Sequence, residues 1–374
     1  MATQKTVSPL CFEARHIVSA NLVYSEVYPI FKRGRIYPLL MVAYCWAMTE
    51  EVAPIIDLAA FENGNSERKA QIAAHVDSAC INTGFLAIRN HDVSQQVIDD
   101  MWQTMQRFFD LPLEEKNLFR APSPGYPYGY MGNEAETLAA SRGDTTPPDL
   151  KETFNGGPTH IPQHIDDPQA LAFCYAPTPW PTEPKHFTQA WSAYYNAMED
   201  LAARIMRLFA AALHVHEQFF DEFISSPISA LRALNYPPQA RAPQPGQLRA
   251  GAHSDYGSLT ILLPQHDSRG LEIQRLDGSW HEVLPVDGAF IINLGDLMAR
   301  WTNNRWRSTM HRVVNPQLQH DPRSRRQSIA YFHQPNWGAK ISTIPTCIDS
   351  TSPTQFESVF SGPYLMSKFE STVQ

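Results

Sequence analysis

Residues 248–263 read LRAGAHSDYGSLTILL and carry the strongest fold signal in the chain. The segments 248–254 and 258–263 are short and mostly apolar, and the turn between them is typical of two consecutive strands. Similar segments recur on both sides of this stretch, separated by turn residues. The further predicted strands are 231–236, 271–275, 280–283, 289–294, 307–313 and 327–332. About eight short strands in one half of a chain predict a β sandwich or jelly roll.

The first half of the chain has helical periodicity instead. Apolar residues recur at spacings of three and four after Ser66, after Ser94 and from Phe187 to Phe220. Residues 121–186 are rich in Pro, Gly, Thr and Asp, which predicts long loops. The predicted fold class is therefore mainly β with N-terminal helices (α+β). It divides into a region 52–186 with long loops and a region 187–374 that holds the long helix, the β core and a C-terminal helix.

Composition and charge limit the classes of function. Of the 374 residues, 43% are hydrophobic and 18% are charged, which is the usage of a globular protein rather than a disordered one. The net charge of −8 comes with no Lys/Arg-rich run, so nucleic-acid binding is not expected. The five cysteines form no Cys-x-x-Cys pair, which favours a reducing, cytoplasmic location over a disulfide framework.

Residues 1–47 need a separate interpretation. The apolar run 36–48 follows several basic residues, but it is too short for a bilayer, which needs about 20 residues. No membrane segment is therefore expected. We interpret Met48 as the natural start and residues 1–47 as an extension outside the fold, with a targeting extension as the alternative.

A candidate metal site lies in the opening stretch. His253 and Asp255 are two residues apart at a strand end, so both side chains point to the same face of the strand. A second His-x-Asp, His164 and Asp166, lies among prolines and is interpreted as a coincidence. His311 falls in another predicted strand. Two His and one carboxylate form the facial ligand set of non-haem Fe(II), which leaves positions open for oxygen chemistry.

A candidate anion-binding pair lies fifteen residues after His311. Arg326 and Ser328 are again two residues apart on a predicted strand, so a guanidinium and a hydroxyl share one face. Such a pair can hold a carboxylate through charge-assisted hydrogen bonds. The alternative is that Arg326 is an ordinary surface charge in the basic run 323–326.

These motifs together resemble a known family, the 2-oxoglutarate- and Fe(II)-dependent dioxygenases of the isopenicillin-N-synthase-like type. The matching segments run in the family's order from about residue 52 to residue 368. They are 54–58, 84–91, 111–116, 129–130, 149–152, 236–237, 253–260, 311–316, 326–329 and 364–368. The chain departs from the family pattern at Asp92, where many members have Gly, and at Leu234, where plant members often have Asn.

The resemblance implies a double-stranded β-helix (jelly roll) core and a set of site residues. His253, Asp255 and His311 are the implied ligands of Fe(II), and Arg326, Ser328 and Tyr236 are the implied contacts of the co-substrate 2-oxoglutarate. No catalytic side chain beyond the metal ligands is implied. For the substrate, the sequence offers Tyr130 and Phe154 in the long-loop region and Phe332 on the strand after Ser328, with ordinary packing as the alternative role.

The expected function is oxidation of a small-molecule metabolite with O2, as hydroxylation, desaturation or ring closure, with release of succinate and CO2. One alternative is an Fe(II)/O2 oxidase of the same fold that does not use 2-oxoglutarate. The other is a non-catalytic jelly-roll binding protein. The sequence does not identify the substrate, and it leaves the oligomeric state open, with a monomer as the simplest case.

Overall fold

The computed structural model describes residues 52–239, 241–316 and 324–373. The predicted extension 1–47 lies outside the described residues. Residues Val52–Gln374 group as one compact unit. The regions 52–186 and 187–374 both belong to this unit, and their separation remains a prediction about the sequence.

Eight helices are described. Six of them precede residue 230, and the longest spans Phe187–Ala212. The helices are α1 Leu58–Glu62, α2 Ser66–Asn82, α3 Gln95–Asp110, α4 Leu113–Asn117, α5 Pro168–Ala172, α6 Phe187–Ala212, α7 Asp296–Trp301 and α8 Ser361–Val373. Three short 3-10 helices add Leu138–Arg142, Asp221–Phe223 and Pro345–Cys347. Both α2 and α3 pack against α6.

A sheet of eight strands forms one wall of the β core. Its strands are β1 Ile55–Asp57, β2 Phe85–Arg89, β3 Gly129–Met131, β4 Glu152–Gly156, β5 Ala230–Tyr236, β7 Leu259–Pro264, β10 Ala289–Leu294 and β12 Arg326–His333. Their spatial order is β1-β2-β10-β7-β12-β5-β4-β3, and all neighbours are antiparallel except the parallel pair β1 and β2.

A four-stranded sheet forms the opposite wall. It contains β6 Ala250–His253, β8 Leu271–Gln274, β9 Trp280–Glu282 and β11 His311–Val313, in the order β6-β11-β8-β9. A separate hairpin pairs β13 Lys340–Ile341 with β14 Val359–Phe360. The two walls confirm the predicted jelly-roll class.

Side-chain alternation divides the core into two layers. On β12, Ile329 and Tyr331 pack with the helices, whereas Ala330 and Phe332 pack in the space between the two sheets. Because neighbouring strand residues point to opposite faces, every second residue of β5 and β12 lines this interior space. Helices cover one face of the large sheet and the small sheet covers the other, so its strands are buried on both faces.

Three local expectations need correction. The helix that begins at Phe187 ends at Ala212 and not at Phe220. His214 has a left-handed φ of 56°, and the amides of His214 and Val215 donate to the carbonyls of Ala211 and Ala210. This is a Schellman motif, which closes a helix by satisfying its last carbonyls.

The strand expected over 307–313 is only His311–Val313. The amide of Arg307 donates to the carbonyl of Cys80 at the end of α2, so this part of the segment bonds to a helix rather than to a strand. The region 121–186 contains β3 and β4 as well as loops. The sequence of β4 gave little strand signal because it is polar, although all five of its residues are buried.

Candidate metal centre and anion pocket

Three potential ligands meet at one end of the small sheet. His253 is the last residue of β6, His311 is the first residue of β11, and the two are direct cross-strand partners. Asp255 follows two residues after His253, and its carbonyl accepts a 2.7 Å hydrogen bond from the amide of Asp296. One ligand atom from each of the three residues lies within 4.8 Å of the others.

The orientation of both imidazoles suits metal binding. Nδ1 of His253 lies 2.8 Å from the carbonyl oxygen of Gly251, and Nδ1 of His311 lies 3.1 Å from that of Thr309. A carbonyl can only accept, so each Nδ1 carries the proton and each Nε2 presents a lone pair. These Nε2 atoms lie 3.9 Å and 3.8 Å from the same carboxylate oxygen, Oδ1 of Asp255.

The other oxygen of Asp255 is held by the large sheet. Oδ2 accepts hydrogen bonds from Oγ1 of Thr260 at 2.5 Å and from Nδ2 of Asn293 at 2.7 Å. Thr260 and Asn293 are cross-strand partners on β7 and β10. Neither residue has a role predicted from the sequence, and only the pairing of these strands reveals Asn293.

The electrostatics also favour a cation between the three side chains. Burial and the neighbouring His311 lower the pKa of His253 to about 3, so its imidazole is neutral at neutral pH. Burial alone would raise the pKa of Asp255, but His311 and His253 outweigh it and lower that pKa. Two neutral imidazoles and one carboxylate are the donor set that non-haem Fe(II) takes, so these residues fit that metal.

No other group of three such side chains is close enough to hold a metal in the described ranges. His164 and Asp166 are exposed and are not members of this group. This placement agrees with their interpretation as a coincidence. Phe85 packs edge-on against His311, with the ring centroids 5.7 Å apart, and so places an apolar ring beside the site.

Arg326 is a buried cation farther along the same interior space. It is 4% exposed, and its Nη1 lies 3.4 Å from Oγ of Ser328. Its guanidinium lies over the ring of Tyr236, 5.0 Å from the centroid. Nε of Arg326 is buried without a hydrogen-bond partner. The structure thus brings together the three residues predicted to hold the co-substrate.

A second arginine, which was not predicted from the sequence, joins this pocket. Arg249 immediately precedes β6 and is 3% exposed, and its Nε is also buried without a partner. Burial and the nearby charge of Arg326 lower the pKa of Arg249 to about 10. In the described part of the chain, neither guanidinium forms an ion pair with a carboxylate. The sequence signal that could have indicated Arg249 was its position four residues before His253.

The three predicted substrate residues have different environments. Phe154 is fully buried among the rings of Phe108, Phe187 and Trp191. Tyr130 is 1% exposed, and its hydroxyl donates a 2.5 Å hydrogen bond to Glu152. Both lie on the helix side of the sheet, where they serve packing. Phe332 lies on the interior face and stays partly exposed, so it alone of the three has a position suited to substrate contact.

Comparison with protein families gives two matches in chain order. Residues 53–183 match the family described as non-haem dioxygenase in morphine synthesis N-terminal. Residues 227–335 match the 2OG-Fe(II) oxygenase superfamily. The chain belongs to the 2OG-Fe(II) oxygenase superfamily. The second match includes the three potential metal ligands and both arginines of the pocket.

Curated relatives of this oxygenase support the same class. A 2-oxoglutarate-Fe(II) type oxidoreductase of Aspergillus fumigatus is 34% identical over 266 residues, covering 70% of this chain and 77% of the relative. Validamycin A dioxygenase of Streptomyces hygroscopicus subsp. limoneus is 31% identical over 281 residues, covering 75% and 76%.

Solved structures agree in fold. A full-length Neurospora crassa protein in complex with alpha-KG superposes with a TM-score of 0.74 at 31% identity, covering 85% of this chain and 96% of that protein. The same Neurospora crassa protein in complex with alpha-KG and thymine gives a TM-score of 0.75 at 29% identity, covering 86% and 97%.

The oxygenase is thus an Fe(II)- and 2-oxoglutarate-dependent oxidoreductase that uses O2 to oxidise small metabolites, as the sequence predicted. This result favours the prediction over the 2-oxoglutarate-independent oxidase and the non-catalytic binding protein. No helix in the described ranges has both the length and the apolar character needed to cross a membrane.

Proposed function

We propose that His253, Asp255 and His311 hold Fe(II), and that Arg326, Ser328, Tyr236 and Arg249 hold the distal carboxylate of 2-oxoglutarate. The observations that carry this proposal are the three-ligand cluster and the pair of buried arginines, each with an unpartnered Nε. A buried cation without a counter-ion is costly, so the site is suited to an anionic ligand.

When bound, iron would let O2 act as the oxidant, with 2-oxoglutarate oxidised to succinate and CO2 and a substrate C–H bond oxidised in the same turnover. The protein's own contribution is ligation, orientation and exclusion of water. Thr260 and Asn293 fix one oxygen of Asp255 and leave the other facing the imidazoles. Gly251 and Thr309 fix the tautomers of the two histidines through their carbonyls.

Several finer assignments complete this proposal. The ordered motifs support the isopenicillin-N-synthase-like type, built from an N-terminal region 52–186 and a region 187–374 with the catalytic core. Cys80, Cys174 and Cys347 are free and buried, which supports a cytoplasmic location. We take a monomer as the working state. The substrate is a small metabolite, and thymine, which the Neurospora crassa protein binds, is one candidate to test.

The test is an anaerobic titration of Fe(II) and 2-oxoglutarate, followed by a measurement of succinate with O2. We expect Asp255→Ala to lower Fe(II) affinity by at least about 100-fold and to abolish succinate formation, because a carboxylate ligand is lost. Asp166→Ala is the matched control, since it removes the carboxylate of the exposed His164-x-Asp166 pair. If Asp255→Ala bound Fe(II) as the wild type does, the ligand assignment would be wrong.

A further inference from the structure

A third arginine, Arg232, lies on the interior face near the metal end of the core. On β5 it is the direct cross-strand partner of Ala330 on β12 and of Asn155 on β4. Directly opposed residues of antiparallel strands point to the same face, so Arg232 shares the interior space with Ala330. Its guanidinium lies 5.7 Å from the ring centroid of Phe332.

Only one edge of this guanidinium is used by the protein. Nη1 of Arg232 lies 3.3 Å from both carboxylate oxygens of Glu136. The Arg232 side chain retains 18% exposure, although Leu231 and Ala233 beside it are buried. Among the described residues, Nε and Nη2 of Arg232 have no hydrogen-bond partner. These atoms are donors only, so the open edge can serve an acceptor on a ligand.

Asn155 adds an acceptor beside this donor. It is 4% exposed, and its Oδ1 is buried without a hydrogen-bond partner, while its Nδ2 lies 3.5 Å from Sδ of Met131. A buried carbonyl oxygen without a partner is unfavourable, so a ligand that donates to it would be stabilised. Arg232 and Asn155 therefore offer a donor and an acceptor next to each other on one face.

The charge around Arg232 is already balanced. Nζ of Lys151 lies 2.8 Å from Glu136 and 2.7 Å from Asp149, and Glu136 in turn pairs with Arg232. Burial would raise the pKa of Glu136, but Arg232 and Lys151 outweigh it and lower that pKa to about 2. Two cations face two carboxylates, which leaves no net charge to attract an anion. This cluster, Arg232, Glu136, Lys151 and Asp149, is called the balanced cluster below.

We propose that Arg232 and Asn155 form the substrate subsite, and that it recognises a small, flat, uncharged molecule with an amide group. The amide oxygen accepts from the open edge of Arg232, and the amide N–H donates to Oδ1 of Asn155. A ring attached to the amide packs against Phe332. This inference rests on the proposed function, because it places the substrate beside the proposed iron ligands.

The test measures binding of three probes to the anaerobic complex with Fe(II) and 2-oxoglutarate, by isothermal titration calorimetry. Benzamide carries the flat ring and the amide, N,N-dimethylbenzamide lacks the N–H, and benzoate carries a charge in nearly the same shape. For the wild type we expect benzamide to bind about tenfold tighter than either analogue, as one lost hydrogen bond in a buried site implies.

Three variants and a control give the inference its sharpest test. Arg232→Gln is expected to weaken benzamide by about tenfold, and Glu136→Gln to move the preference toward benzoate, because the charge of Arg232 is then less compensated. Arg207→Gln, which loses a surface pair with Asp221, is the control and should change neither the benzamide affinity nor the benzoate affinity. The thermal midpoint of each variant shows whether it is folded, and Arg232→Lys, which keeps the charge but not the fork, should lose benzamide as well.

Several outcomes would overturn the subsite. They are tighter binding of benzoate than benzamide by the wild type, no measurable benzamide binding, or equal benzamide affinity in Arg232→Gln and Arg207→Gln. Succinate formation by the wild type without any probe separates this failure from failure of the proposed function. If succinate forms and the probes behave in one of these ways, only the subsite is wrong, whereas no succinate contradicts the proposed function itself.

Discussion

Two clusters of charge line the same interior space, and they are built in opposite ways. Arg326, the first residue of β12, and Arg249, just before β6, are buried without any carboxylate paired to them in the described ranges. In the balanced cluster, Arg232 and Lys151 are paired with Glu136 and Asp149. A buried charge without a counter-ion indicates a binding site for an anionic ligand. Paired charges stabilise the fold and leave a site that can bind an uncharged ligand.

The largest expected effect comes from removing the unpaired charge of Arg326. Arg326→Met should raise the dissociation constant for 2-oxoglutarate by at least about 100-fold, because paired charge-assisted hydrogen bonds are lost. The same variant should unfold at a higher temperature without ligand, since a buried unpaired cation is replaced by an apolar side chain of similar length. Calorimetric titration and thermal unfolding measure the two effects. A lower unfolding temperature would show that Arg326 is a structural charge.

Removing a cation that is paired, in the balanced cluster, should instead destabilise the protein. Lys151→Met leaves the buried carboxylate of Asp149 and the partly buried carboxylate of Glu136 without their shared cation, and we expect a loss of about 3 kcal/mol in the free energy of unfolding. Urea unfolding monitored by fluorescence measures it. Lys69→Met, which removes an exposed pair with Glu217, is the control and should change stability by less than about 1 kcal/mol. Equal effects of the two variants would remove the distinction between the clusters.

Acid should weaken the balanced cluster through Glu136. Its pKa is lowered from the ordinary value of 4.5 to about 2 in the folded state. A lowered folded-state pKa gives stability that is present above about pH 4.5 and is lost as the pH falls toward 2. The contribution is about 3 kcal/mol, and Glu136→Gln should lack this part of the pH dependence. Unfolding free energies measured from pH 6 to pH 3 for both proteins test it, and parallel curves would contradict it.

A smaller effect is expected for Arg249. Arg249→Gln should weaken 2-oxoglutarate binding by about tenfold, less than the Arg326 variant, because Ser328 and Tyr236 stay beside Arg326 to orient the carboxylate. Competition between 2-oxoglutarate and succinate for the anaerobic Fe(II) protein measures the change. Arg269→Gln, which removes a surface pair with Glu282, is the matched control. An affinity unchanged from that control would exclude Arg249 from the pocket.

The predicted and observed strands show which elements of the fold the sequence could predict. The segment 289–294 was predicted and is found as β10, because a buried strand needs a short apolar run. β4 was missed because it is polar, and its Glu152 is buried through partners elsewhere in the chain. Glu152 accepts hydrogen bonds from Lys116, Tyr130 and Asn235. A polar strand of this kind carries no local hydrophobic pattern.

The sequence by itself determined the jelly-roll class, the oxygenase family, and the three side chains that approach one another at the metal centre. The fold class follows from periodicity, and the family and its three implied ligands follow from the resemblance of motifs that the chain carries in the family's order. Only the tertiary structure decided that Arg249 joins Arg326, that Phe154 packs in the core, and that Arg232 has an open edge beside Asn155. Each of these depends on which strands become neighbours, and burial and pairing between distant strands are not encoded in any local pattern.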